Sequence, residues 1–153
     1  MNYMQAVEFL EISRDKAVSR IFYQKREEFF RNHFNFIKIV PWFLINEACF
    51  QTAGRLVREH TANKFGGIVA SFSNFNYTRP FLPNENIIIN IKLQSINDKS
   101  SLFYLSIKIE EEVVLKKGKL ILLLNEEIIS KTLNNQIPDE NKNLKQYFLD
   151  KHE

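Results

Sequence analysis

His33 and Glu47 stand 14 positions apart in the stretch NHFNFIKIVPWFLINEACFQTAGRL, residues 32–56. Glu47 interrupts a run that is otherwise mostly apolar. On a helix its neighbours three and four positions away are Phe43, Leu44, Phe50 and Gln51, three of them large and apolar. Burying an unpaired carboxylate among such side chains is costly and raises its pKa. A carboxyl that keeps its proton at neutral pH can serve as a general acid. The competing reading is structural: a Glu bonded to a buried Ser, Arg or backbone group, or one on a wet face. His33, which titrates near neutrality when unperturbed, is an ordinary loop histidine alone and a candidate base beside such an acid. Between them, a helix starting at Pro41-Trp42-Phe43 would present unpaired N–H groups and a positive dipole end to a developing oxyanion. Base, acid and oxyanion donors together fit proton abstraction next to a carbonyl.

Positioning these groups requires a helix between two sets of strands. AVEFLEIS (6–13) and AVSRIFYQK (17–25) read as short strands around a turn at Arg14-Asp15-Lys16. REEFFRNHF then breaks the pattern and reads as a loop. Pro41 suits a first helical position, where its missing N–H costs nothing. From Trp42 to about Thr61 the chain predicts one helix of about 18–20 residues, roughly 27–30 Å long. Its first four turns are apolar nearly all round, which predicts burial on most faces. Ala48, Ala53 and Gly54 would let a sheet approach closely. After Gly66-Gly67, four strand candidates follow: IVASFSNFNYT, NIIINIKLQSI, LFYLSIKI and VVLKKGKLILLL. Turn residues separate them, and consecutive short turns imply antiparallel hairpins. The order is α+β, and a single apolar helix needs an antiparallel sheet curled around it, the geometry of a hot-dog fold. The uncovered helix side and sheet edges predict at least a dimer.

Composition narrows the function. A chain of 153 residues is expected to form one domain, here 1–130, followed by a polar tail over 131–153. Fourteen Phe suit a core or an apolar tunnel. Net charge is +3 with no basic stripe interleaved with aromatics, which argues against nucleic acid. One cysteine allows no disulfide framework and no Cys-based zinc site, and no cofactor or metal spacing is present. With no signal-peptide pattern at the N-terminus and no apolar run near 18 residues, a cytoplasmic protein without a membrane span is expected.

The stretch resembles the 3-hydroxyacyl-[acyl-carrier-protein] dehydratases of the FabZ/FabA type, whose motif runs approximately G-H-F-P-x-x-P-x-x-P-G-x-L-x-x-E-A-x-x-Q-x-x-G. His33, Phe34, Pro41, Leu44, Glu47, Ala48, Gln51 and Gly54 fall in register without a gap. Arg79, Pro80 and Pro83 match a second turn of the family, so the resemblance spans roughly residues 7–125. Glu47, where the FabA branch carries Asp, points to the FabZ-like side. The resemblance implies that His33 acts on the C2 proton of a 3-hydroxyacyl thioester and that Glu47 protonates the leaving C3 hydroxyl. It places the thioester oxygen at an amide near Trp42, with Phe34, Phe43 and Gln51 around the substrate. It also implies a dimer, or a larger homo-oligomer built from dimers, in which His and Glu of one site come from two protomers. The partner would be acyl carrier protein with its phosphopantetheine-linked chain, in fatty-acid or related lipid or polyketide synthesis.

The departures lie around the two chemical groups. Asn32 replaces a Gly, Asn35 and Lys38 replace prolines, and Trp42 replaces the Gly that lets the thioester approach the helix. The indole either turns away and leaves the amide free, or narrows the tunnel. Asn84-Glu85 replaces the Gly-Asp of the second turn. A non-catalytic or weakly active accessory subunit, binding acyl groups or a partner dehydratase, is therefore one alternative, and a hot-dog thioesterase is another. Elsewhere the ordinary readings prevail. His60 offsets the helix dipole, His152 has no assigned role, Cys49 is a small buried hydrophobe, and Glu110-Glu111-Glu112 is a solvated turn. Lys116, Lys117 and Lys119 either meet an acidic carrier or protect a sheet edge.

Overall fold

A computed structural model describes residues 7–24, 30 and 37–126. Six strands and one long helix follow in the order β1 (Glu8–Ile12), β2 (Lys16–Ile21), α1 (Trp42–His60), β3 (Gly66–Ser73), β4 (Ile87–Ile96), β5 (Ser100–Ile109) and β6 (Glu112–Asn125). All strands join one antiparallel sheet in the order β1-β2-β4-β5-β6-β3. This is the hot-dog architecture, with α1 against the sheet's inner face. The loop expected over 26–34 falls almost wholly outside the described residues, as do His33, Phe34 and the tail over 131–153.

Alternation builds the inner face. Ile87, Ile89, Ile91 and Leu93 on β4, and Phe103, Leu105, Ile107 and Ile109 on β5, are buried at every second position. Their neighbours Asn90, Lys92, Tyr104 and Lys108 point outward. Against this face α1 presents Leu44, Ile45, Ala48, Cys49, Ala53, Leu56 and Val57. Ala48 and Ala53 provide the expected close approach. Gly54 does not, because a Cβ there would meet nothing within 4 Å. The close contacts are at Gly67, where a Cβ would lie 2.7 Å from Leu122 Cδ1, and at Gly118, where it would lie 2.8 Å from the Phe75 ring.

Three expectations need correction. The β4–β5 and β5–β6 hairpins form, but β3 pairs with β6 rather than with its successor β4. The 13 residues after Ser73 carry the chain across the molecule, so β3 becomes a sheet edge. That strand also starts earlier and stops earlier than IVASFSNFNYT predicts. It takes in Gly66-Gly67 and ends before Asn74, whose φ of 59° breaks the extended backbone. Finally, Lys119 pairs with Ser73 of β3 and so lies inside the sheet, whereas Lys116 and Lys117 fall beyond the last β3–β6 pair. Lys117 instead sits over the Tyr104 ring at 4.8 Å.

Candidate active site

The helix begins one residue later than a first-position proline would place it. Pro41 is the N-cap, with φ −57° and an extended ψ of 132°, and its carbonyl accepts from Leu44 N at 3.0 Å. No side chain caps this end and no acidic residue lies in the first turn. With Leu44 N taken by Pro41 O, the Trp42 and Phe43 amides are, among the described residues, the ones left for an incoming acceptor, as an oxyanion site requires. Val40, just before the cap, donates its N–H to Phe81 O at 2.8 Å, which ties the helix start to the β3–β4 connection.

Trp42, Phe43, Glu47 and Gln51 all lie on α1, the last three at fourfold spacing along one stripe. The burial expected nearly all round the first turns does not occur within this chain. Trp42 is 62% exposed and Phe43 54% exposed. The indole turns outward and meets the Phe43 ring edge-on at 6.3 Å. Glu47 is partly buried rather than sealed in the core, and its Oε1 accepts from Gln51 Nε2 at 3.3 Å. The reason is rotational: the stripe Phe43–Glu47–Gln51 points away from the sheet, while Leu44, Ala48 and Thr52 face it. His33 and Phe34 lie outside the described residues. The Lys38 ammonium donates to the Phe30 carbonyl, and the Phe30 ring is buried.

The second turn that resembles the dehydratases also closes without its usual residues. Asn84 adopts φ 63°, a left-handed conformation that Asn tolerates better than most side chains, and its N–H donates to Tyr23 O at 2.7 Å. Glu85 accepts from Leu82 N at 2.8 Å and pairs with Arg79 through both carboxylate oxygens, at 2.9 and 3.1 Å. Arg79 Nε also donates to Glu112 Oε2 at 3.0 Å. The Glu85 hydrogen bond, followed by that to Glu112, holds the guanidinium still more firmly in its charged form. Glu110 and Glu111 form the β5–β6 turn as expected, with φ 53° at Glu110.

Some contacts were not visible in the sequence. The Tyr77 hydroxyl donates to Asn46 Oδ1, beside Glu47, and the Tyr77 ring stands edge-on to Phe81 at 5.1 Å. Burial, then the neighbouring Cys49, pushes the Tyr77 hydroxyl well above its ordinary range. Phe50, Phe72 and Phe75 gather beside α1, and the count of 14 Phe was their only trace. Cys49 is fully buried, and burial drives its thiol far up, which rules it out as a thiolate nucleophile. His60 Nδ1 bonds Arg14 O at 2.7 Å in the last turn of α1, and so also ties the helix end to the β1–β2 turn. Among the described residues, no group of three His, Cys, Asp or Glu is placed to hold a metal ion. No helix among them is long and apolar enough to cross a membrane.

One long helix against a single six-stranded antiparallel sheet makes this a hot-dog protein. The chain belongs to the FabA-like domain family, whose model matches residues 11–123. No curated protein matches it in sequence. Solved structures with the same fold include the dehydratase heterocomplex ApeI:P from Xenorhabdus doucetiae, at 14% identity, TM-score 0.67, and coverage of 89% of this chain and 93% of that one. They also include a hypothetical thioesterase protein with coenzyme A from Streptococcus pneumoniae, at 12% identity and TM-score 0.62, covering 78% of this chain and 86% of that one. Thioesterase superfamily member 2 of zebra fish is similar at 11% identity and TM-score 0.65, covering 80% and 84%. Both dehydratases and thioesterases are therefore built on this frame.

Proposed function

We propose that the chain is a FabZ-like dehydratase, or the reverse hydratase, acting on 3-hydroxyacyl thioesters carried by acyl carrier protein. The observation that carries this reading is the placement of Glu47. It lies partly open to solvent, on the stripe of α1 turned away from the sheet, about a turn and a half from the helix start, and 14 positions after His33 in the sequence. The neutral His33 imidazole takes the C2 proton of the substrate. The electrons of that C–H bond form the C2–C3 double bond as the C3–O bond breaks. The Glu47 carboxyl gives its proton to the departing hydroxyl, which leaves as water. The first-turn amide near Trp42 holds the thioester oxygen while charge builds on it, and Phe34, Phe43 and Gln51 border the substrate. No cofactor takes part. The working unit is a cytoplasmic homodimer, or an oligomer of dimers, of a domain over residues 1–130.

The dimer reading is supported by β3. Its outer edge is free among the described residues, and its sequence GGIVASFS has no charge to discourage pairing. Ile68, Val69 and Phe72 on it are exposed. Pairing two such edges would cover them.

Purified protein is expected to convert a 3-hydroxyacyl carrier substrate to the enoyl product. His33→Ala and Glu47→Gln should each lower kcat by about 100-fold or more. Unchanged turnover in both variants refutes the assignment. The thioesterase reading draws support from the coenzyme A-bound neighbour. In it Glu47 would activate water, and free acid rather than enoyl thioester would accumulate.

A further inference from the structure

The outer face of the sheet, on the side away from α1, gathers lysines from four strands. Cross-strand pairing sets Lys16 of β2 opposite Lys92 of β4, Lys92 opposite Tyr104 of β5, and Tyr104 opposite Lys119 of β6. Their chain neighbours Ala17, Ile91, Leu93, Phe103, Leu105 and Leu120 are buried, so these four side chains project outward. The same alternation turns Lys108 outward between buried Ile107 and Ile109. Lys117 joins the face over the Tyr104 ring, at 4.8 Å. No Asp or Glu occurs in β4 or β5. Among the described residues, Lys16 is the one lysine of this set with an ion pair, to Glu11 at 3.7 Å. Like charges directly opposite one another, as at Lys16 and Lys92, cost a sheet stability. A partner of opposite charge would offset that cost.

We infer that this face docks on an anionic lipid surface. Several observations favour lipid over other acidic partners. Tyr104, at the centre of the face, is already covered by Lys117, which leaves no platform for stacking a base. The cations are lysines, compact point charges, rather than the arginine forks that grip single phosphates, and Arg20 is taken up by Glu8. Neither β4 nor β5 carries an exposed large apolar side chain to anchor a protein interface. A carrier protein seated here would have the sheet between itself and the outward stripe of α1 that holds Glu47. Attraction to anionic lipid needs neither ring nor anchor, because it accumulates lysine by lysine near the surface. Pairing through the β3 edge leaves this face open and would join two copies of it in one sheet. Lipid binding of this kind is independent of the chemistry that Glu47 performs.

The test is sedimentation of the full chain with vesicles of phosphatidylcholine, alone or with about 30% phosphatidylserine, at about 0.1 M salt. The mixed vesicles should bind the protein and the neutral ones should not, and about 0.5 M salt should release it. Lys92→Gln/Lys119→Gln should weaken partition about 20-fold, or about fivefold per lysine. Arg55→Gln/Lys64→Gln removes the same charge from α1 and the turn beyond it, and should change partition by less than about twofold. Circular dichroism checks the fold of both variants. Equal binding to neutral and mixed vesicles, or binding to neither, overturns the inference, as does equal weakening in the two variants. Tighter binding to a single-stranded oligonucleotide or to acyl carrier protein, lost in the Lys92/Lys119 variant, gives the face to that partner and overturns it too.

Discussion

At the scale of single residues, the departures from the dehydratase motif are met by substitutes that do comparable physical work. Asn84 takes a left-handed φ of 63° where the resembling motif has Gly. Asn accepts that conformation at low cost, whereas Ala meets its Cβ penalty of about 1–2 kcal/mol. Asn84→Ala should therefore lower the urea midpoint, while Asn84→Gly should hold or raise it. Equal destabilisation by both would mean that the side chain, rather than the backbone angle, matters there. The motif residues themselves were legible from spacing, because a helix converts threefold and fourfold intervals into a shared face. Trp42 was not legible. Whether an indole turns into a tunnel or out to solvent depends on what surrounds it, and in this chain it points out.

Among elements, a buried hydroxyl pair joins α1 to β2. Ser19 and Thr52 are both fully buried and 2.7 Å apart. Thr52 Oγ1 spends its hydrogen on Ala48 O, also at 2.7 Å, so Ser19 must be the donor to Thr52. Thr52→Val leaves the Ser19 hydroxyl without its acceptor and should cost about 1–3 kcal/mol. Ser19→Ala should cost less, and the double variant should recover part of the sum, as a double-mutant cycle in urea would read. Strict additivity would show that the two hydroxyls do not interact. At the sheet's other edge, Ile68→Lys on β3 should convert a dimer to monomers in sedimentation and abolish turnover with it. A stable dimer in that variant would place the interface elsewhere. Six strands and the helix were readable as elements from alternation and from Pro41. Their partners were not, since the span after Ser73 sets β3 beside β6 without leaving a periodic signal.

For the whole molecule, burial of ionisable groups under α1 makes stability depend on alkaline pH. Cys49 ordinarily titrates near 9.0, and its thiol is held far above that in the native state. Above 9.0 the unfolded chain therefore binds fewer protons than the folded one, and stability falls as pH rises. Below that value the contribution is fully present. Each unmatched proton steepens the loss by about 1.4 kcal/mol per pH unit. Tyr77, whose ordinary value is 10.0, adds to the decline in the same direction. Urea titrations at pH 8 and 10.5 should show this fall, and Cys49→Ala should flatten it. A slope unchanged by that substitution would assign the alkaline loss to other groups.

The sequence by itself determined the class of the fold, the helix that carries Glu47 and the register that links it to His33. Those follow from local periodicity and spacing along one chain. Tertiary structure alone decided that Glu47 is partly open rather than sealed, that β3 has a free edge among the described residues, and that three phenylalanines from α1, β3 and the loop beyond it meet. Each depends on contacts between residues distant in sequence, and such contacts are set by how the sheet curls around the helix.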